Sequence, residues 1–204
     1  IVDDGAGGTN RKVAASRIET YVGGTNRFKY IGGVEAFGGD TTASLTVDDV
    51  FSSSYHWYKV FITIGPNTGG DNLLMQWVDD GSALTASSYL NSIEYRTVNS
   101  GGTVTEATTD TAWTGSSVPL LTDAGGSLVQ LFNCEMTVFH PTTSSQRITA
   151  VWHGAGYQDS DVWARQTGAS KYNAGSGQVT GMKFYTSSSA VAYRSVRVFA
   201  MQNG

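Results

Sequence analysis

Apolar and polar positions alternate along much of this chain with a period of two, the spacing at which successive side chains of a strand face opposite ways. The alternation is cleanest near the end, where Val196, Val198 and Ala200 are offset from Arg197 and Phe199. Strand-like runs are predicted over 44–50, 57–64, 73–78, 83–98, 103–108, 128–140, 147–153, 161–165, 179–186 and 195–201, separated by turns rich in Gly, Ser and Asn. In the second run Tyr58, Val60, Ile62 and Ile64 share one side, and Trp57, Lys59, Phe61 and Thr63 share the other. The second set is mixed, so that face is expected against a neighbouring subunit or the small N-terminal unit. The triplet Val60-Phe61-Ile62 is apolar on both faces, as expected inside a sandwich.

So many antiparallel strands in one domain predict an all-β, two-sheet sandwich, with a jelly roll as its arrangement. The stretch 109–126 reads as a long connection of the kind that Greek-key crossings use. Residues 1–24 read as a separate hairpin-helix element. Asp3-Asp4-Gly5-Ala6-Gly7-Gly8 turns between two short strands, and Ser16-Arg17-Ile18-Glu19 forms a capping box that starts a short helix ended by Gly23-Gly24. Residues 25–43 are a Gly-rich connection with strand fragments around Phe28-Lys29-Tyr30-Ile31, and 44–204 form the head domain. The first element holds too few apolar residues to bury a core alone, so it is expected to pack on copies of itself or on a neighbouring domain. The start at Ile1, without Met, points to a longer parent polypeptide.

Composition sharpens this picture. Val, Thr and aromatic residues outweigh helix formers, 25 glycines supply the turns, and only 15% of residues are charged. A formal net charge of −4 and the lack of a basic run argue against nucleic acid. No apolar run approaches the roughly 20 residues of a membrane-spanning helix, so no membrane insertion is expected. The single cysteine, Cys134, lies inside an apolar run and reads as a buried, inert thiol; assembly in a reducing cytoplasm fits.

Candidate chemistry is sparse. His56, His140 and His153 are scattered in sequence, without the close spacing of a zinc site, although a threefold assembly would bring three copies of one histidine together. The pairs Asp3-Asp4, Asp48-Asp49 and Asp79-Asp80 fit turns better than facing catalytic carboxylates. Asp159 and Asp161 have the spacing of calcium ligands, but the Gly and Glu of a full calcium loop are missing. No nucleophile elbow, P-loop or dinucleotide fingerprint occurs. The reading is therefore a protein without catalytic residues, metal or cofactor. Trp113, Tyr157, Trp163 and Tyr172 stand in polar, Gly-rich surroundings, where three roles fit: packing under loops, subunit contact, or contact with a receptor such as a sugar.

Three stretches carry a resemblance. The opening, from Ile1-Val2-Asp3-Asp4-Gly5 to Ser16-Arg17-Ile18-Glu19, resembles the hairpin-helix element that precedes the globular head of phage tail fibres, especially in marine phages and cyanophages. Val50-Phe51-Ser52-Ser53-Ser54-Tyr55, followed by Trp57-Tyr58-Lys59-Val60, is similar to the signature that opens the sheet in those heads. Arg194-Ser195-Val196-Arg197-Val198-Phe199-Ala200 looks like their closing strand, with Phe199-Ala200 in place of a usual Tyr-Gly pair. The resemblance runs in order along the whole chain and implies a homotrimeric virion protein exposed on the particle. Its partners would be other virion proteins on the N-terminal side and a host glycan or outer-membrane protein. A capsid head fibre or decoration protein is the alternative on the same fold. A polysaccharide depolymerase or a cellular carbohydrate-binding module fits less well.

Overall fold

The structure is a computed structural model that describes residues 28–36, 41–125, 130–142, 147–158, 162–173 and 178–201. The predicted hairpin-helix element over 1–24 lies outside the described residues. Thirteen strands are described: β1 (Phe28–Ala36), β2 (Ser44–Val47), β3 (Trp57–Pro66), β4 (Asp71–Asp79), β5 (Ser82–Ala83), β6 (Tyr89–Val98), β7 (Val104–Gly115), β8 (Val118–Ala124), β9 (Phe132–Phe139), β10 (Thr149–Tyr157), β11 (Trp163–Tyr172), β12 (Gly181–Thr186) and β13 (Val191–Met201). They form two antiparallel sheets. The larger has the order β1-β13-β3-β9-β10-β11-β6-β7, and the smaller the order β2-β12-β4-β5, with β8 also paired to β4. The fold is all-β among the described residues, as the alternation predicts.

Most neighbours within a sheet are distant in sequence: β13 joins β1 to β3, and β12 joins β2 to β4. One core collects the inward sets of both sheets, with Tyr58, Val60, Ile62 and Ile64 from β3, Val196, Val198 and Ala200 from β13, and Met75, Trp77, Met182 and Phe184 from the smaller sheet. The period-two pattern of β3 and β13 thus corresponds to burial of one face, worth about 25 cal/mol for each Å² of apolar surface removed from water.

Two expectations are corrected. Residues 109–126 are not a long connection: they hold the second half of β7 and all of β8. Pro119 and the Ser and Gly around β8 disguise it, because proline is tolerated in a sheet only where its missing N–H is not needed. Here β8 lies at a sheet border, and amide side chains serve its backbone. Asn91 Nδ2 donates to the Ser117 carbonyl at 2.9 Å, Gln166 Nε2 to the Pro119 carbonyl at 3.3 Å, and Gln158 Nε2 to the Thr122 carbonyl at 2.9 Å. Asn91 and Gln166 come from strands of the larger sheet, so these bonds tie the two sheets together along β8.

The second correction concerns Phe61, which the apolar triplet Val60-Phe61-Ile62 places inside a sandwich. Val60 and Ile62 are buried, but Phe61 is 47% exposed on the outer face. Smaller differences concern strand limits. The fragment expected around Phe28–Ile31 extends to Ala36 as an edge strand paired with β13. The run 83–98 is divided, because Leu84–Ser88 turn so that the Tyr89 hydroxyl donates to the Leu84 carbonyl at 2.8 Å and accepts from the Trp77 amide at 2.9 Å.

Candidate interaction face

The outward face of the larger sheet carries the most developed surface among the described residues. Register decides which side chains meet there. One row reads Arg197, Phe61, Glu135, His153, Thr167 and Glu94 across β13, β3, β9, β10, β11 and β6. The next row toward the end of β10 reads Ser195, Thr63, Asn133, Ala155, Arg165 and Arg96. In the middle of the sheet the outward residues are small, with Ala155, Thr167, Ala169 and Ser92 forming a floor. Larger groups rise on both sides: Phe61 and Lys59 on β3, Glu94 and Arg96 on β6.

Two depressions result, of about 440 and 580 Å³. Both are lined by Glu135 and His153, so they join into one shallow trough. Lys59 and Glu135 form an ion pair at their junction, and His153 Nε2 lies 4.0 Å from the other Glu135 oxygen. The Lys59 ammonium holds the Glu135 carboxyl below the usual carboxylate range, overcoming the opposing effect of partial burial, and His153 adds to it. Thr63 Oγ1 donates to Asn133 Oδ1 at 2.8 Å, which orients that amide beside the trough.

Aromatic rings stand on the same face farther along the strands on either side, outside the lining of the trough. Tyr157 and Trp163 are directly opposite one another on β10 and β11, 38% and 39% exposed. On the other side the exposed Trp57 ring meets Phe139 edge-on, with centroids 5.5 Å apart. The separation is eight residues along β10, roughly 26 Å at the rise of a strand.

No protein-family model matches this sequence, and no curated protein matches it.

The four aromatics singled out from the sequence thus have different fates. Tyr157 and Trp163 come together on the open face. Tyr172 packs against Tyr89, ring centroids 4.8 Å apart, at the margin of the core. For Trp113 the structure describes the backbone register alone, opposite Asn91. Cys134 is buried between the sheets, and burial pushes its thiol far above the ordinary range. Asp159 and Asp161 lie outside the described residues.

Two arrangements escape a reading by sequence spacing. His56 and His140, 84 positions apart in the numbering, have ring centroids 5.6 Å apart, and the His140 amide donates to the His56 carbonyl at 2.7 Å. The fold thus brings together two histidines that are scattered in sequence, although no group of three or more metal-ligating side chains occurs among the described residues. Asp71 is buried at the start of β4, where its Oδ1 accepts from the hydroxyls of Ser187 at 2.8 Å and Ser188 at 2.6 Å. The serines lie 116 and 117 positions after Asp71, so no local spacing in the sequence marks this contact.

Proposed function

We propose that this chain is a non-enzymatic structural protein of a phage virion, a tail-fibre head with a jelly-roll arrangement that attaches to the host surface as a homotrimer. The observation that carries this reading is the row of rings at the β1 border of the larger sheet. Phe28, Tyr30 and Phe61 are each about half exposed. Phe199 makes edge-to-face contacts with Tyr30 at 5.4 Å and with Phe61 at 5.8 Å. An apolar strip on a bordering strand invites pairing with another chain. In a closed homo-oligomer each copy covers this strip on its neighbour. The resemblance of the chain to fibre heads supports the same stoichiometry, and other virion proteins are expected on the N-terminal side.

Light scattering at several dilutions tests the reading. A trimer mass independent of concentration is expected, and Tyr30→Glu combined with Phe199→Glu should reduce it to that of a single chain. A native chain that is monomeric at every dilution removes the basis of the fibre reading.

A further inference from the structure

We infer that the trough between the Tyr157–Trp163 pair and Trp57 binds an extended acidic glycan, with a sugar carboxylate seated on Arg165. This inference rests on the attachment reading and names the ligand class for the face just described.

Arg165 is exposed in the trough wall, and it has no carboxylate partner among the described residues. Its cross-strand neighbour on β6 is another arginine, Arg96, which lies 4.0 Å from Glu94. Like charges directly opposite one another on a sheet destabilise it. A planar guanidinium left in such a position is complementary to a carboxylate, which it binds through two parallel N–H donors. Lys171, exposed farther along β11, adds positive charge to a chain whose overall charge is −4. Within the trough lining Lys59 and Arg165 balance Glu94 and Glu135, and because Lys59 is paired with Glu135, Arg165 is the cation left to meet a ligand carboxylate.

The rest of the lining fits a sugar chain. The floor is a sheet face, whose backbone groups are already paired within the sheet, so an extended peptide cannot bind by adding a strand there. Recognition falls to side chains, which recur about 4.8 Å across the strands and about 7 Å along them. Asn133, Glu135 and His153 offer donors and acceptors for hydroxyls in the same stretch as Arg165. Tyr157 and Trp163 offer flat apolar faces for the C–H surfaces of pyranose rings.

Titration of the full chain with oligogalacturonate, followed by tryptophan fluorescence and calorimetry, tests the inference, with a neutral cello-oligosaccharide as the comparison. Oligogalacturonate is expected to bind with an affinity that falls as salt rises, and the neutral sugar to bind at least about tenfold more weakly. Arg165→Gln should weaken oligogalacturonate binding about tenfold or more. Ala155→Trp, which fills the trough beside Arg165, should abolish it, while Lys183→Gln on the smaller sheet should leave it unchanged. Equal affinity for the neutral sugar, or full affinity in Arg165→Gln, overturns the assignment. A trimeric chain that binds no oligogalacturonate overturns this inference alone, whereas a monomer that binds it overturns the fibre reading alone.

Discussion

The hydroxyl of Tyr58 closes on both backbone groups of Ser52: it donates to the Ser52 carbonyl at 2.9 Å and accepts from the Ser52 amide at 2.8 Å. Tyr58 is fully buried, with the Phe51 ring 4.7 Å away in an edge-to-face contact. The segment from Val50 to Tyr58, which carries the resemblance to fibre heads, is thereby a framework device: the strand residue Tyr58 anchors the serine turn that precedes it. Tyr58→Phe keeps the ring, leaves the Ser52 amide without a partner, and leaves the Ser52 carbonyl only the longer bond from the Tyr55 amide at 3.4 Å. The expected loss is about 1–3 kcal/mol, read as a lower urea midpoint with unchanged slope, and a midpoint equal to the native chain refutes the anchoring role.

A second prediction concerns the floor beneath the trough. Gly168 on β11 lies opposite Trp152 on β10, and a Cβ at Gly168 would come within 2.2 Å of Trp152 Cζ2. The indole is buried and its Nε1 has no acceptor, so it is held by packing alone. Gly168→Ala should destabilise the fold by about 1–3 kcal/mol or more through overpacking. Adding Trp152→Phe, which removes the clashing part of the ring, should recover part of that loss, a coupling measurable in a double-mutant cycle. Additive effects of the two substitutions contradict the contact.

The third prediction follows from Asp71. Burial raises its pKa, but the hydroxyls of Ser188, Ser189 and Ser187 and the Ser188 backbone favour the anion more, and the carboxyl ends below its ordinary value. A group depressed in the folded state binds protons more weakly there than in the unfolded chain. Its contribution to stability is therefore complete above the unfolded value of about 3.9 and is lost as pH falls through the lower folded value. Asp71→Asn should be less stable near neutral pH and should lose less stability on acidification. Glu135, also depressed, titrates in the same window in both proteins, so the difference between their urea midpoints across about pH 5 to 2 isolates Asp71. Parallel acid limbs refute the assignment.

The fate of particular residues shows what was legible in the chain. Alternation alone places Tyr58, Val60, Ile62 and Ile64 together in the core, and it does the same for Val196, Val198 and Ala200. Strand β8 was illegible because Pro119 argues against a strand locally, while Asn91 and Gln166, whose side-chain amides donate to the Ser117 and Pro119 carbonyls, lie 28 and 47 residues away from the proline in the numbering. The candidate face was legible in part: the polar surroundings of Tyr157 and Trp163 mark them as unusual, but nothing local says that they are partners.

What the sequence by itself determined is the class of the fold, since period-two alternation is a property of each strand alone and follows from the pleat of an extended backbone. It also determined which side chains of a strand travel together. Only the tertiary structure decided which of the two sides is covered and which strands are neighbours. Phe61 is exposed because the second sheet packs on the opposite face of β3, and Arg165 faces Arg96 because β11 pairs with β6. Both outcomes depend on pairings between segments far apart in the chain, and the physical interactions that select them act across space, without a trace in the local pattern.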